Sequence, residues 1–200
     1  MSCSQLTNAS FPMLKEIDRS TFYNCSALTT IYAPLCSRIY SSAFYNCRQL
    51  LSISFPSCTS IFSAAFMYCC SLSTVSLPNV SIINYQAFEY CSKLASISLP
   101  NVSIISNSAF AYCSELSVVR LSAVTNIYTG AFWYCTSLKS VYLLSPSVAS
   151  LSGVDAFYST PLSLSSFLGV YGSIYVPSSL YDSYKTAPLW SHFSSRFVSM

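Results

Sequence analysis

Seven cysteines stand 22 residues apart in this chain, Cys3, Cys25, Cys47, Cys69, Cys91, Cys113 and Cys135, and a leucine follows each by three residues. Six of them close a Phe-x-x-Cys segment that begins at Phe22, Phe44, Phe66, Phe88, Phe110 and Phe132. Self-similarity at a period this short marks a tandem repeat whose units cannot bury an apolar face alone, so they must stack into a solenoid. Such an architecture points to a surface, rather than a pocket, as the seat of function.

Overlaying the units gives columns that run along the stack. Leu6, Leu28, Leu50, Leu72, Leu94, Leu116 and Leu138 form one; Ala9, Ile31, Ile53, Val75, Ile97, Val119 and Val141 form the next; Phe11, Ala33, Phe55, Leu77, Leu99, Leu121 and Leu143 form a third. The second and third alternate with polar residues, the period-2 pattern of a short strand, and these strands are expected to stack into one parallel sheet. Pro12, Pro34, Pro56, Pro78 and Pro100 then end the strand, because proline cannot donate the next ladder bond. A further apolar column, Ile17, Ile39, Ile61, Ile83, Ile105 and Ile127, precedes the return to Phe-x-x-Cys. No helical spacing is sustained before residue 178, so the outer side is expected to be short strand, turn and 3₁₀.

One elongated domain follows: a truncated first repeat at 1–21, regular repeats at 22–144, and an irregular last repeat with a C-terminal cap at 145–200. The chain begins in mid-repeat, which reads as a piece of a longer protein or a product lacking an N-terminal cap. From residue 145 the period fails: Phe157 follows Phe132 by 25 residues, Thr160 takes the cysteine slot, and Ser173-Ile174-Tyr175-Val176-Pro177 supplies a last strand. Ser179 with Asp182 three residues on, ahead of Leu180, Tyr181, Tyr184 and Trp190, predicts a side-chain-capped short helix covering the end of the stack.

Composition removes several classes of function. Only 8 % of residues are charged, and nine Lys/Arg scattered over a net charge of +3 make no stripe for a phosphate backbone, so nucleic acid is excluded as a partner. Although 52 % of the chain is hydrophobic, polar residues punctuate every repeat and no membrane span is predicted. No secretory leader is recognised within this sequence, and localisation is not read from that. The acids Glu16, Asp18, Glu89, Glu115, Asp155 and Asp182 are dispersed, His192 is the lone histidine, and four glycines form no phosphate loop, so no catalytic residue and no cofactor is assigned. Nine of the ten cysteines lie in two columns where stacked side chains point the same way, which favours free buried thiols over disulfides and leaves no metal site. Cys70, outside both columns, is expected to be the exposed thiol.

Two surfaces remain as candidates for binding. The outward strand positions are mostly serine and threonine, with Tyr32 near one end and Arg120, Tyr142 and Tyr175 near the other; these four are the ligand-binding candidates of the concave face. A second stripe runs Asn24, Asn46, Tyr68, Tyr90, Tyr112 and Tyr134, with Trp133 beside the last, and reads either as a structural ladder over the core edge or as an aromatic platform for glycan or protein.

The unit Leu28-x-x-Ile31-x-Ala33-x-x-Cys36 resembles the leucine-rich repeat core, and the proline with the return Ala43-Phe44-Tyr45-Asn46-Cys47-Arg48-Gln49-Leu50 is similar to its BspA-type branch over residues 3 to 144. The resemblance implies a right-handed, β-rich leucine-rich repeat solenoid with stacked parallel strands on a concave face. It also implies a bacterial surface module that adheres to a protein or polysaccharide, host extracellular matrix included. The alternatives are a structural spacer that self-associates edge to edge through its uncapped N-terminal repeat, and an intracellular, cytoplasmic interaction protein, which reduced cysteines would suit.

Overall fold

Each rung of the stack contributes a longer strand and then a two-residue one, because apolar residues recur first with period 2 and again at the isoleucine column. In the computed structural model, which describes residues 3–163 and 171–200, these are β1 (Asn8–Ser10) and β2 (Glu16–Ile17), β3 (Thr30–Tyr32) and β4 (Arg38–Ile39), β5 (Ser52–Ser54) and β6 (Ser60–Ile61), β7 (Thr74–Ser76) and β8 (Ile82–Ile83), β9 (Ser96–Leu99) and β10 (Ile104–Ile105), β11 (Val118–Leu121) and β12 (Asn126–Ile127), and β13 (Ser140–Leu143) and β14 (Ser150–Leu151). β15 (Ser173–Val176), α1 (Tyr181–Thr186) and β16 (Phe197–Ser199) complete the chain. Every pairing is parallel, and through β14 nearly every register step is one repeat, as in Ala9↔Ile31 and Ile17↔Ile39. This is a leucine-rich repeat solenoid.

The two-residue strands form the unbroken ladder, seven strands from β2 to β14. The longer strands do not make the single sheet expected of them: they pair as β1-β3, β5-β7 and β9-β11-β13-β15-β16. Three-residue strands share so few ladder bonds that a slight tilt of one rung opens a whole pair, and between β3 and β5 the Leu51 N–H to the Thr29 carbonyl, at 3.1 Å, is what remains.

A third set of inter-rung bonds lies in the return segments. The N–H groups of Ser20, Phe22 and Asn24 donate to the carbonyls of Ser41, Ala43 and Tyr45, the same three positions do so in the next four rungs, and Phe132 and Tyr134 continue the pattern to Ala156 and Tyr158. Two of the three residues are left-handed: Ser20, Ser42, Ala64, Gln86, Ser108 and Gly130 in one column, Asn24, Asn46, Tyr68, Tyr90, Tyr112 and Tyr134 in the other, all with φ between 54° and 63°. Alternating handedness aims every second N–H at the next rung, which satisfies donors that a plain turn would leave orphaned. Asparagine at 24 and 46 is the usual signal for this conformation; tyrosine is not, and sequence reasoning missed the column's backbone role.

Between the ladders the core is a file of stacked rings. Phe22, Phe44, Phe66, Phe88, Phe110, Phe132 and Phe157 lie 5.0–5.5 Å apart and within 13° of parallel, so Phe157 joins the file despite its 25-residue spacing. The cysteine column has its own bond: the thiols of Cys47, Cys69, Cys91, Cys113 and Cys135 donate to the carbonyls of Phe22, Phe44, Phe66, Phe88 and Phe110 at 3.0–3.3 Å. Thr160, in that slot, donates instead to the Phe157 carbonyl at 2.7 Å. All ten thiols are free. Cys3 is the exposed one, whereas Cys70 is only half-exposed with its thiol on the Tyr68 carbonyl, which corrects the expectation made for Cys70.

The cap also departs from expectation. Ser179 makes no capping bond; Pro177 starts a 3₁₀ turn, Ser178–Leu180, and α1 follows with Leu180 as an N-cap that has no side-chain bond. A proline's fixed φ and bondless nitrogen suit a helix entrance, so the turn needs no serine. Tyr184 and Trp190 are buried as anticipated, but β15 is not the last strand: β16 pairs with it and covers its edge.

Candidate ligand-binding surface

On the long-strand face the burial pattern puts the odd strand positions in solvent. Three of the four predicted residues meet there. Register pairs Arg120 with Tyr142 and Tyr142 with Tyr175, and the side chains follow: the Arg120 guanidinium lies 4.2 Å over the Tyr142 ring, which stacks on Tyr175 at 4.4 Å and 8°. Val198 of β16 extends the row past Tyr175. The guanidinium is held flat over the ring by a cation–π contact. Tyr32, 58 % exposed, stands apart from this row. Ser54, Ser76 and Ser98 occupy the rungs between, about 19 Å at one strand spacing per rung.

The second predicted stripe is a stack as well. Tyr68, Tyr90, Tyr112 and Tyr134 lie 4.7, 4.5 and 5.1 Å apart with rings within 16° of parallel. Asn46 donates to Asn24 at 2.8 Å at the N-terminal end of the same column. Tyr68, Tyr90 and Tyr112 are half-buried along the edge of the core, the geometry of a structural ladder. The column opens at its C-terminal end. Tyr134 and Trp133 are exposed, and Tyr158, brought in by the irregular last rung, stands edge-on to both.

Those three rings border a cleft of about 480 Å³ lined also by Tyr85, Asn107, Ser108, Thr129, Gly130 and Asp155. Of this set sequence reasoning named only Trp133 and Tyr134. The others come from four different rungs and are joined only by the stacking, though Gly130, the one glycine in its column, was a legible sign. Glu89 lies deeper under the stripe, with burial raising its carboxyl above the ordinary range against a lowering bond from Gln86. Among the described residues no group of three or more His, Cys, Asp or Glu gathers to hold a metal, and no helix is long and apolar enough to cross a membrane.

Comparison with known proteins agrees with this geometry. Residues 1–82 and 59–180 match the BspA type leucine rich repeat region, in six copies. A T. pallidum leucine rich repeat protein superposes with a TM-score of 0.68 at 28 % identity, over 72 % of this chain and 73 % of that one. A leucine-rich repeat protein from Eubacterium ventriosum superposes with a TM-score of 0.70 at 25 % identity over 77 % of this chain, which spans 43 % of that protein's length. No curated protein matches the chain.

Proposed function

The chain belongs to the BspA-type leucine-rich repeat family, and from that premise we propose that it is a bacterial cell-surface interaction module that holds a protein or polysaccharide ligand on its repeat surface and catalyses no reaction. The observation that carries this reading is the Arg120–Tyr142–Tyr175 row. These side chains do nothing for the core, yet they are pre-ordered on solvent, and arginine and tyrosine are the residue types that dominate binding energy in interfaces. Ordering them before contact lowers the entropy cost of binding. A face that needed only hydration would do as well with the serines of the middle rungs.

The test is capture of ligands from arrayed glycans and extracellular-matrix proteins by the wild type, Arg120→Ala and Tyr142→Ala. A ligand held by the wild type loses at least about tenfold in affinity in either variant, with thermal unfolding unchanged, as truncation of a central contact does.

A second reading has one observation of its own. β1 pairs on one side only, and Phe11 and Met13 beside it are 41 % and 75 % exposed. An open strand edge with apolar flanks is a pairing template, as a spacer or assembly element would need. A blank array together with concentration-dependent association abolished by Met13→Lys would replace the module with the spacer.

A further inference from the structure

We propose that the cleft between Trp133, Tyr134, Tyr158 and Asp155 is a binding site for a neutral saccharide, separate from the long-strand face and sharing no residue with it. Four observations converge on it.

The first is the glycine. Five other rungs carry Ser20, Ser42, Ala64, Gln86 and Ser108 in the column of Gly130, all with the same left-handed φ as its 63°. The backbone therefore does not require glycine here. A Cβ at this position would lie 3.5 Å from Ser108 Oγ and 3.8 Å from Trp133 Cβ, in ordinary contact, so what glycine removes is a side chain from the floor of the cleft.

The second is the bracing of the indole. Trp133 is 38 % exposed, yet Tyr112, Tyr134 and Tyr158 stand 6.0, 5.5 and 6.3 Å from it at inclined angles. A large apolar ring left in water but held in place offers contact area at little entropic cost.

The third is the irregular rung. Its three extra residues set the 3₁₀ turn Val154–Phe157 where Asp155 and Tyr158 form the rim. The break in the period thus completes the cleft.

The fourth is the chemistry of the lining. Asn107, Ser108, Thr129 and the tyrosine hydroxyls give neutral donors and acceptors, and Asp155 is the one charged group. With no cation present, phosphates and acidic sugars are repelled. An exposed carboxylate beside an amide and several hydroxyls accepts and donates to vicinal hydroxyl groups, while an aromatic face takes the C–H face of a pyranose ring. The volume lies within the roughly 300–1,000 Å³ of small-molecule sites.

Tryptophan emission tests this directly, because Trp190, the other tryptophan, is buried in the cap. Maltose, cellobiose, lactose and diacetylchitobiose are the probes, with glucuronic acid and benzyltrimethylammonium as charged controls. At least one neutral disaccharide is expected to shift the emission saturably at millimolar concentration. Calorimetry should then show that Gly130→Gln and Asp155→Asn each weaken that probe by roughly tenfold or more, while Lys15→Ala, exposed in the first rung and outside both surfaces, leaves it unchanged. Asp155 is exposed, so the second variant keeps the test decisive if the first disturbs folding. Silence from all four disaccharides, preference for the ammonium control, or binding indifferent to both cleft variants would overturn the proposal. None of these results bears on the Arg120 row, whose own variants decide it.

Discussion

Glu89 is the residue on which the repeat and its chemistry conflict. Its column reads Tyr23, Tyr45, Met67, Glu89, Ala111 and Trp133, so a carboxylate occupies a slot otherwise apolar or aromatic. It is 7 % exposed, and its Oε2 is buried without a hydrogen-bond partner. Burial therefore raises its pKa: the folded state disfavours the charged form that the unfolded chain carries freely. The destabilisation is complete at pH values above the folded pKa and disappears once pH falls below the ordinary value of 4.5, where both states are protonated. Glu89→Gln keeps the shape and removes the charge. Urea unfolding should find the variant more stable by about 1 kcal/mol at pH 7, with the difference shrinking toward zero near pH 4. Equal midpoints at pH 7 would mean that the carboxylate is solvated in a way its burial does not show. At this scale the sequence disclosed columns but not conformation: the alignment put Tyr68 and Tyr90 with Asn24 and Asn46, yet nothing in a tyrosine announces a left-handed residue.

Among the elements, the cap meets the continuous ladder at one backbone residue that makes two hydrogen bonds to it. Ala149 precedes β14, the last strand of the continuous ladder; its N–H donates to the Tyr184 hydroxyl at 3.1 Å and its carbonyl accepts from Trp190 Nε1 at 2.6 Å. Tyr184 and Trp190 also meet edge to face at 5.4 Å, with Phe193 and Phe197 packed around them. The cap thus stands in for the missing next rung in both hydrogen bonding and burial. Trp190→Phe retains most of the packing but orphans the Ala149 carbonyl, at a cost of about 1–3 kcal/mol. Because a solenoid's rungs are coupled to their neighbours, that loss should fall unevenly, and hydrogen exchange should accelerate first in β13, β14 and β15 and least in β3 and β4. Uniform acceleration would instead make the stack one cooperative unit. The helix and its two anchors were legible because Tyr184 and Trp190 break the polar run. The strand β16 was not, since Phe197-Val198-Ser199 has no repeat partner and acquires its role only when β15 presents an open edge. The cleft was illegible for a related reason: its walls come from rungs that no motif joins, and the irregular spacing after Phe132 looked like the period failing rather than a rim being added.

The whole molecule shares one electrostatic property through its stacked thiols. Burial raises the pKa of Cys25, Cys36, Cys47, Cys58, Cys69, Cys91 and Cys113 above the ordinary 9.0, with Cys47 and Cys58 pushed up to about 12. A thiol is neutral when protonated, so the fold keeps protons that the unfolded chain releases. Above pH 9 the unfolded state binds fewer protons than the folded one, and stability must fall with pH; below pH 9 both states are protonated and these groups contribute no slope. By pH 10 each thiol still protonated in the fold costs on the order of 1 kcal/mol, and the repeat multiplies that cost along the stack. The chain supplies its own control, because Val80, Val102 and Val124 fill the column of Cys36 and Cys58 and are fully buried. The double variant Cys36→Val with Cys58→Val should match the wild type in chemical unfolding at pH 7 to within about 1 kcal/mol and lose less stability between pH 8 and pH 10. Every other ionisable side chain is common to both proteins, so the difference between the two slopes isolates the two thiols. Parallel slopes would show that the cysteine columns admit water and ionise in place, and the carbonyl-bonded thiols would then be reactive rather than inert.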